Sequence, residues 1–176
     1  MEISPVPKNI VLIGFMGSGK SSVGRIIAQQ IGFALADTDH LVVQHTGLQI
    51  TEIFKSRGED YFRDQETAAL HSLLGNSGLV ISTGGGIILR EENVGLLREL
   101  GCIVWLTASE EVLFERISRG TKRPLMQTPN PRETIHNLLS EREPLYRAAA
   151  NYTVDTSAKT HEEVAQAIIS QARRLV

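Results

Sequence analysis

One cysteine, Cys102, stands in 176 residues, so no disulfide can close within the chain and a disulfide-framed secreted scaffold is excluded. Long apolar runs are missing too. The run Ile10 to Ile13 stops after four residues at Gly14, far short of the roughly 18 needed to span a membrane. The opening Met1-Glu2-Ile3-Ser4-Pro5 has neither the basic nor the apolar region of a signal peptide, and a cytoplasmic protein is expected. Charge of one sign is also lacking: 18 Lys+Arg against 20 Asp+Glu give a net charge of −2. Non-specific nucleic-acid binding needs bulk positive charge, so the expected partner is a small molecule, with neither nucleic acid nor membrane. The length predicts a single domain over residues 1–176, large enough to bury roughly 70% of its unfolded surface without staples.

What is present alternates between strand and helix patterns. Lys8 to Ile13 is β-branched and apolar without alternation, as in a strand buried on both faces of a parallel sheet. Ser21 to Ile31 follows with Val23, Ile26, Ile27 and Ile31 at helical spacing and Gly32 as its stop. Further strands are expected at Phe33–Ala36, Leu79–Ser82, Cys102–Leu106 and Tyr152–Val154. Helices are expected at Glu91–Leu100, closed by Gly101, and at Ser109–Ile117 with Ser109 as N-cap. A last helix starts at a Thr160/Glu163 capping box and sets Val164, Ile168 and Leu175 on one face. Five strands joined through helices imply parallel pairing and an α/β sandwich. Asn76–Gly78, Arg119–Arg132 and Thr156–Lys159 read as loops. The middle one, at about fourteen residues, is long enough for a lid.

Gly14-Phe15-Met16-Gly17-Ser18-Gly19-Lys20-Ser21 satisfies G-x-x-x-x-G-K-[ST] between a predicted strand and a predicted helix. The glycines let N–H groups turn toward phosphate oxygens, and the helix N-terminus adds partial positive charge. Lys20 neutralises the β/γ-phosphates, and the Ser21 hydroxyl can ligate Mg²⁺. No Asn-Lys-x-Asp guanine-reading segment and no Leu-Ser-Gly-Gly-Gln run occur. That and the small size favour a small-molecule kinase. His40, His45, His71, His136 and His161 show no metal-ligand spacing and read as surface or core residues, leaving nucleotide-borne Mg²⁺ as the only metal expected.

The acceptor's residues are less sharply marked. Asp37-Thr38-Asp39 ends the second strand, where α/β sheets bind ligands. The acids can serve metal, reacting hydroxyl or substrate hydroxyls, or Asp39 can cap a helix. Gly84-Gly85-Gly86 follows a strand and either brings bare N–H groups to a ligand or makes a tight turn. Gly58 to Arg63 opens a helix, and Arg63 offers a planar fork to a carboxylate or pairs with Glu66 at i,i+3. Arg116, Arg119, Lys122, Arg123 and Arg142 put cations in and around the long loop, as a lid over a triphosphate or as a charged surface loop.

Taken together with Gly58-Glu59-x-x-Phe62-Arg63-x-x-Glu66, Arg123-Pro124-Leu125 and Arg142-x-Pro144-Leu145-Tyr146, these motifs resemble shikimate kinase across nearly the whole chain. The resemblance implies a nucleoside-monophosphate-kinase-like fold: a three-layer α/β sandwich around a five-stranded parallel sheet, with a mobile lid near 119–132. It implies ATP-dependent phosphorylation of the shikimate 3-hydroxyl in aromatic amino-acid (chorismate) biosynthesis; a monomer is expected. Carried over, Gly17, Ser18, Gly19, Lys20, Ser21 and Ser22 hold the phosphates. Ser21 and Asp37 serve Mg²⁺, Asp37 through the metal's water shell or else at the reacting hydroxyl. Asp39 and the Gly84, Gly85 and Gly86 backbone bind the shikimate hydroxyls; Arg63 and Arg142 hold its carboxylate; Phe54 and Phe62 wall its ring. Arg123 swings in to the transferring phosphate and Arg116 lies against the adenine. Val43 stands where the family often has an acid. Two rivals remain: a kinase of another sugar acid such as gluconate, and a nucleotide-binding regulator without turnover. Retention of Lys20, Asp37, Arg63, Arg123 and Arg142 together argues against the second.

Overall fold

The computed structural model describes residues 6–119 and 127–175. Five strands, β1 (Asn9–Ile13), β2 (Ala34–Asp37), β3 (Leu79–Ser82), β4 (Cys102–Thr107) and β5 (Tyr152–Asp155), form one sheet in the order β2-β3-β1-β4-β5. All four pairings are parallel. Central β1 is buried along its length, which is why it lacks the polar alternation of a half-exposed strand.

Among the described residues eight α-helices pack around the sheet: α1 (Lys20–Ile31), α2 (Thr38–Thr46), α3 (Ile50–Ser56), α4 (Gly58–Leu73), α5 (Glu91–Leu100), α6 (Glu110–Ser118), α7 (Pro131–Ala149) and α8 (His161–Ala172). Strand periodicity divides the core in two. Ile10, Leu12, Val80, Val104 and Leu106 face α1 and α8, packing on Val23, Ile27, Val164 and Ile168. Val11, Ile13, Ile81, Ile103 and Trp105 face the other way, onto Leu70, Leu97, Leu113 and Ile135 of α4 to α7. A satellite cluster of Val42, Ile53, Phe62 and Ala69 joins α2, α3 and α4. The expected three-layer α/β sandwich with a five-stranded parallel sheet is therefore the observed one.

Local chemistry sets the element ends. Gly32 closes α1 in the left-handed region, its N–H donating to Ala28 O. Gln49/Glu52 and Thr160/Glu163 make capping boxes for α3 and α8; Ser109 Oγ accepts from Val112 N at 3.4 Å to open α6. At the sheet's lower edge the side chain of buried Asn9 donates to Leu100 O (2.8 Å) and Asn76 O (3.0 Å) and accepts from Leu79 N (2.9 Å). A Cβ on Gly101 would collide with Asn9 O, so the glycine that closes α5 is there for space.

Three expectations are corrected. β2 runs one residue later than Phe33–Ala36, so Asp37 is its last residue. α8 ends at Ala172, and Leu175 is 53% exposed instead of continuing the apolar face. The loop expected at 119–132 overlaps the next helix by two residues. Arg119 caps α6, pairing with Glu115, and Pro131 at the first position of α7 already has the φ a helix needs. Residues 120–126, with Lys122, Arg123 and the Arg123-Pro124-Leu125 motif, lie outside the described residues.

Candidate active site

The glycine-rich loop joins the end of β1 to the start of α1 at the carboxyl edge of the sheet. Gly19 is the N-cap of α1 at φ 95, ψ 11, a left-handed conformation strained for residues with a Cβ, and no side chain caps the helix. The first-turn N–H groups have no acceptor within the helix and are available to an anion such as a phosphate. Lys20 folds back, its Nζ donating to Gly14 O (2.8 Å) and Phe15 O (2.9 Å). Ser18 Oγ is buried with no hydrogen-bond partner. Ser21 Oγ donates to Asp37 Oδ2 at 3.3 Å and lies 3.2 Å from Ser82 Oγ. Phosphate loop and Asp37 thus meet at one hydroxyl.

Asp37, not Asp39, caps α2: its Oδ1 accepts from Asp39 N (3.0 Å) and His40 N (3.2 Å), leaving Oδ2 for Ser21. Asp39 is thereby turned inward. Its Oδ1 is buried without a hydrogen-bond partner. Burial raises its pKa first and the Asp37 charge next, while Lys20 and Arg63 pull it back in part.

Arg63 realises the i,i+3 alternative, donating to Glu66 Oε2 at 2.5 Å and to Glu59 Oε1 at 2.9 Å. Glu66 is fully buried and its Oε1 has no hydrogen-bond partner. Burial raises the Glu66 pKa, while the Arg63 charge and hydrogen bond and, less strongly, the Arg142 charge oppose it, so Glu66 lies within electrostatic reach of both arginines. Arg142 Nε is buried without a hydrogen-bond partner, its guanidinium 5.9 Å from the Phe15 ring centre.

None of Gly84, Gly85 and Gly86 has a positive φ; two are required by crowding instead. A Cβ on Gly86 would lie 2.6 Å from Arg63 Nη2, and one on Gly84 would meet the carboxylates of Asp39 and Glu66. The Gly84 N–H donates to Thr38 Oγ1 at 3.1 Å.

A cleft of about 410 Å³ unites these parts, lined by Met16, Gly17, Gly19, Lys20, Ser21, Ser22, Asp37, Asp39, Thr83, Gly84, Gly85, Arg116 and His161. Arg116 donates to Thr156 Oγ1 (2.9 Å), Thr156 O (2.8 Å) and Gly17 O (3.4 Å), tying the loop after β5 to the phosphate loop. The cleft wall omits Arg63, Arg142, Phe54 and Phe62. Phe62 is in the satellite core, and half-exposed Phe54 packs against it with ring centres 4.8 Å apart and planes tilted by 39°. His161 was not foreseen as a site residue. It opens α8 beside the phosphate loop, its Nε2 3.5 Å from where a Cβ on Gly19 would stand, an adjacency that histidine spacing does not encode. All five histidines are exposed, and among the described residues no cluster could hold a metal through His, Cys, Asp and Glu alone.

A phosphate loop and an acid-lined wall sharing one cleft at the carboxyl edge of a β2-β3-β1-β4-β5 sheet define a P-loop kinase. The family model for shikimate kinase matches residues 16–173. A shikimate kinase of Thermodesulfovibrio yellowstonii is 48% identical over 168 residues, 96% of either chain. The chain belongs to the shikimate kinase family. Among solved structures, shikimate kinase from Acinetobacter baumannii in complex with shikimate superposes with a TM-score of 0.89 at 39% identity, covering 96% of this chain and 93% of that one. A gluconokinase from Sinorhizobium meliloti 1021, 24% identical with a TM-score of 0.66 over 97% of this chain and 94% of that one, shares the fold alone.

Proposed function

We propose that this protein transfers the γ-phosphoryl group of ATP to the 3-hydroxyl of shikimate, giving shikimate 3-phosphate and ADP, as a step of aromatic amino-acid biosynthesis. The carrying observation is the 3.3 Å contact of Ser21 Oγ with Asp37 Oδ2, which puts the phosphate loop against the acid that ends β2. Phosphoryl transfer rests on positioning and electrostatics, so bringing these groups together is most of what catalysis requires.

In this reading Gly17, Ser18, Gly19, Lys20, Ser21 and Ser22 bind the phosphates, and Lys20 balances charge as the acceptor oxygen bonds to phosphorus and the β–γ bridging oxygen departs with ADP. The donors fit Mg²⁺, since Ser21 and Asp37 offer hard oxygen ligands, Asp37 directly or through a water. When bound, the ion neutralises charge on the phosphate oxygens. Asp37 orders the metal's water shell or takes the hydroxyl's proton. Asp39 and the Gly84 to Gly86 backbone receive the shikimate hydroxyls, Arg63 and Arg142 its carboxylate, and Phe54 and Phe62 its ring. Arg116 flanks the adenine, and Arg123 approaches the transferred phosphate from the lid. The protein acts as one cytoplasmic domain and as a monomer.

Coupled ADP release tests the reading. Turnover is expected with shikimate and not with gluconate, and calorimetry should show shikimate binding more tightly when ADP is present. Gluconate turnover without shikimate turnover refutes the assignment.

A further inference from the structure

We propose that Tyr146 is a positioning residue for the acceptor cradle, holding the Gly84 to Gly86 turn in register with Arg142 and with the phosphate loop. The proposal rests on the shikimate reading of the cradle and assigns a task to a tyrosine that the reading leaves unused. Three observations carry it. First, the Tyr146 hydroxyl donates a hydrogen bond to Gly85 O, the middle carbonyl of the turn. Burial raises the phenol's pKa, so it stays a donor throughout the working pH range. Second, the ring cannot wander. Tyr146 is 1% exposed, and its ring stacks on Trp105 of β4 with centres 5.9 Å apart and planes inclined by 21°. Third, Tyr146 lies four residues after Arg142 on α7, so one helix face carries both.

Gly85 is where three segments meet. A Cβ there would stand 3.5 Å from Met16 N, 3.6 Å from Gly14 O and 3.6 Å from Tyr146 Oη. A displacement of Gly85 therefore changes the spacing between the phosphate loop and the cradle, and misplacement of bound groups by about 1 Å is enough to slow a reaction about a hundredfold. The hydroxyl of Tyr146 fixes that spacing from the side of α7, and it reaches the substrate through the backbone it holds and through Arg142, whose guanidinium lies in hydrogen-bonding contact with it.

The test is Tyr146→Phe, which keeps the ring and its stacking, beside Ile135→Val as a control for loosened packing, since Ile135 is a buried α7 residue in the same core. In Tyr146→Phe the KM for shikimate should rise at least about three- to tenfold, since the hydroxyl's bond to Gly85 O and its contact with Arg142 are lost together, with the KM for ATP unchanged. Ile135→Val should lower the melting temperature and leave both KM values in place. Amide exchange across residues 84–87 in the free protein should quicken in Tyr146→Phe and not in Ile135→Val. An unchanged shikimate KM, equal changes in both KM values, or equal exchange in the two variants overturns the proposal. Should the wild type fail to turn over shikimate, the functional reading falls, and the exchange comparison still decides whether Tyr146 holds the turn.

Discussion

Asp39 Oδ1 and Glu66 Oε1, delivered by α2 and α4, face a single point above Gly84: a Cβ built there would lie 2.8 Å from the first and 2.9 Å from the second. Both oxygens are buried without hydrogen-bond partners, and burial is the leading cause of the raised pKa of each group. Two unmatched acceptors aimed at one spot are complementary to a donor such as a substrate hydroxyl, and leaving them unmatched weakens the free protein.

Gly84→Ala puts a methyl group at that point. The two carboxylates must part, and the KM for shikimate should rise about tenfold or more, while the KM for ATP stays within about twofold because the phosphate loop is untouched. Steady-state kinetics with each substrate varied in turn will show it.

Stability should depend on pH through Asp39. Its folded pKa lies above the unfolded value, so the stability it contributes is complete below about pH 4 and is lost as pH rises through the raised folded pKa. Asp39→Asn does not titrate and keeps what the wild type loses. The melting temperature of Asp39→Asn minus that of the wild type should therefore grow between about pH 4 and pH 7, while shikimate binding weakens. A difference that is flat or falls with pH would remove the buried-charge account.

Asp37→Asn and Lys20→Ala separate capping from catalysis. An Asn can cap α2 as Asp37 does, so the melting temperature should hardly move, yet kcat should drop because the amide neither accepts a proton nor holds the metal's waters. Lys20→Ala removes one cation from the transferring phosphoryl group and should lower kcat at least about a hundredfold in a protein that still folds. Circular dichroism and coupled ADP release read both quantities.

Arg63 and Arg142 should differ in what their removal does to the fold. Arg63→Ala strips the fully buried Glu66 of its ion pair, a loss of about 3–5 kcal/mol for a broken buried pair, less whatever proton uptake by Glu66 restores. Arg142→Ala breaks no such pair, and its melting temperature should stay closer to that of the wild type. Each variant should weaken shikimate about ten- to a hundredfold, and the double variant should weaken it by less than the product of the two.

The phosphate site was legible because its spacing is dictated by backbone geometry, and Lys20, Ser21 and the Gly19 turn lie where the motif puts them. β1, β3 and β4 were legible as apolar runs without alternation, since both their faces are covered. α7 was not read as an element of its own: few of its residues, among them Ile135, Tyr146 and Ala149, are buried, and Pro144 interrupts its helical pattern. The roles of Glu66 and Tyr146 were harder still. Glu66 looked like half of a surface ion pair, and only the closure of α2, α4 and the glycine turn shows that its second oxygen is sealed in. Capping by Asp37 instead of Asp39 turned on a shift of one residue in where β2 ends, and local propensity does not resolve strand ends that finely.

The Asn9 side chain ties the foot of β1 to Leu79 at the start of β3 and to Leu100 just ahead of β4, at the end of the sheet opposite the cleft. It works as an alignment pin. A strand advances about 3.3 Å per residue, so a one-residue slip of β1 would carry Gly14 and the whole phosphate loop that far from Asp37 and turn every side chain of the strand to the opposite face. The tolerance of the reaction centre is thus set in part by one amide at the far end of the central strand, with no contact to either substrate.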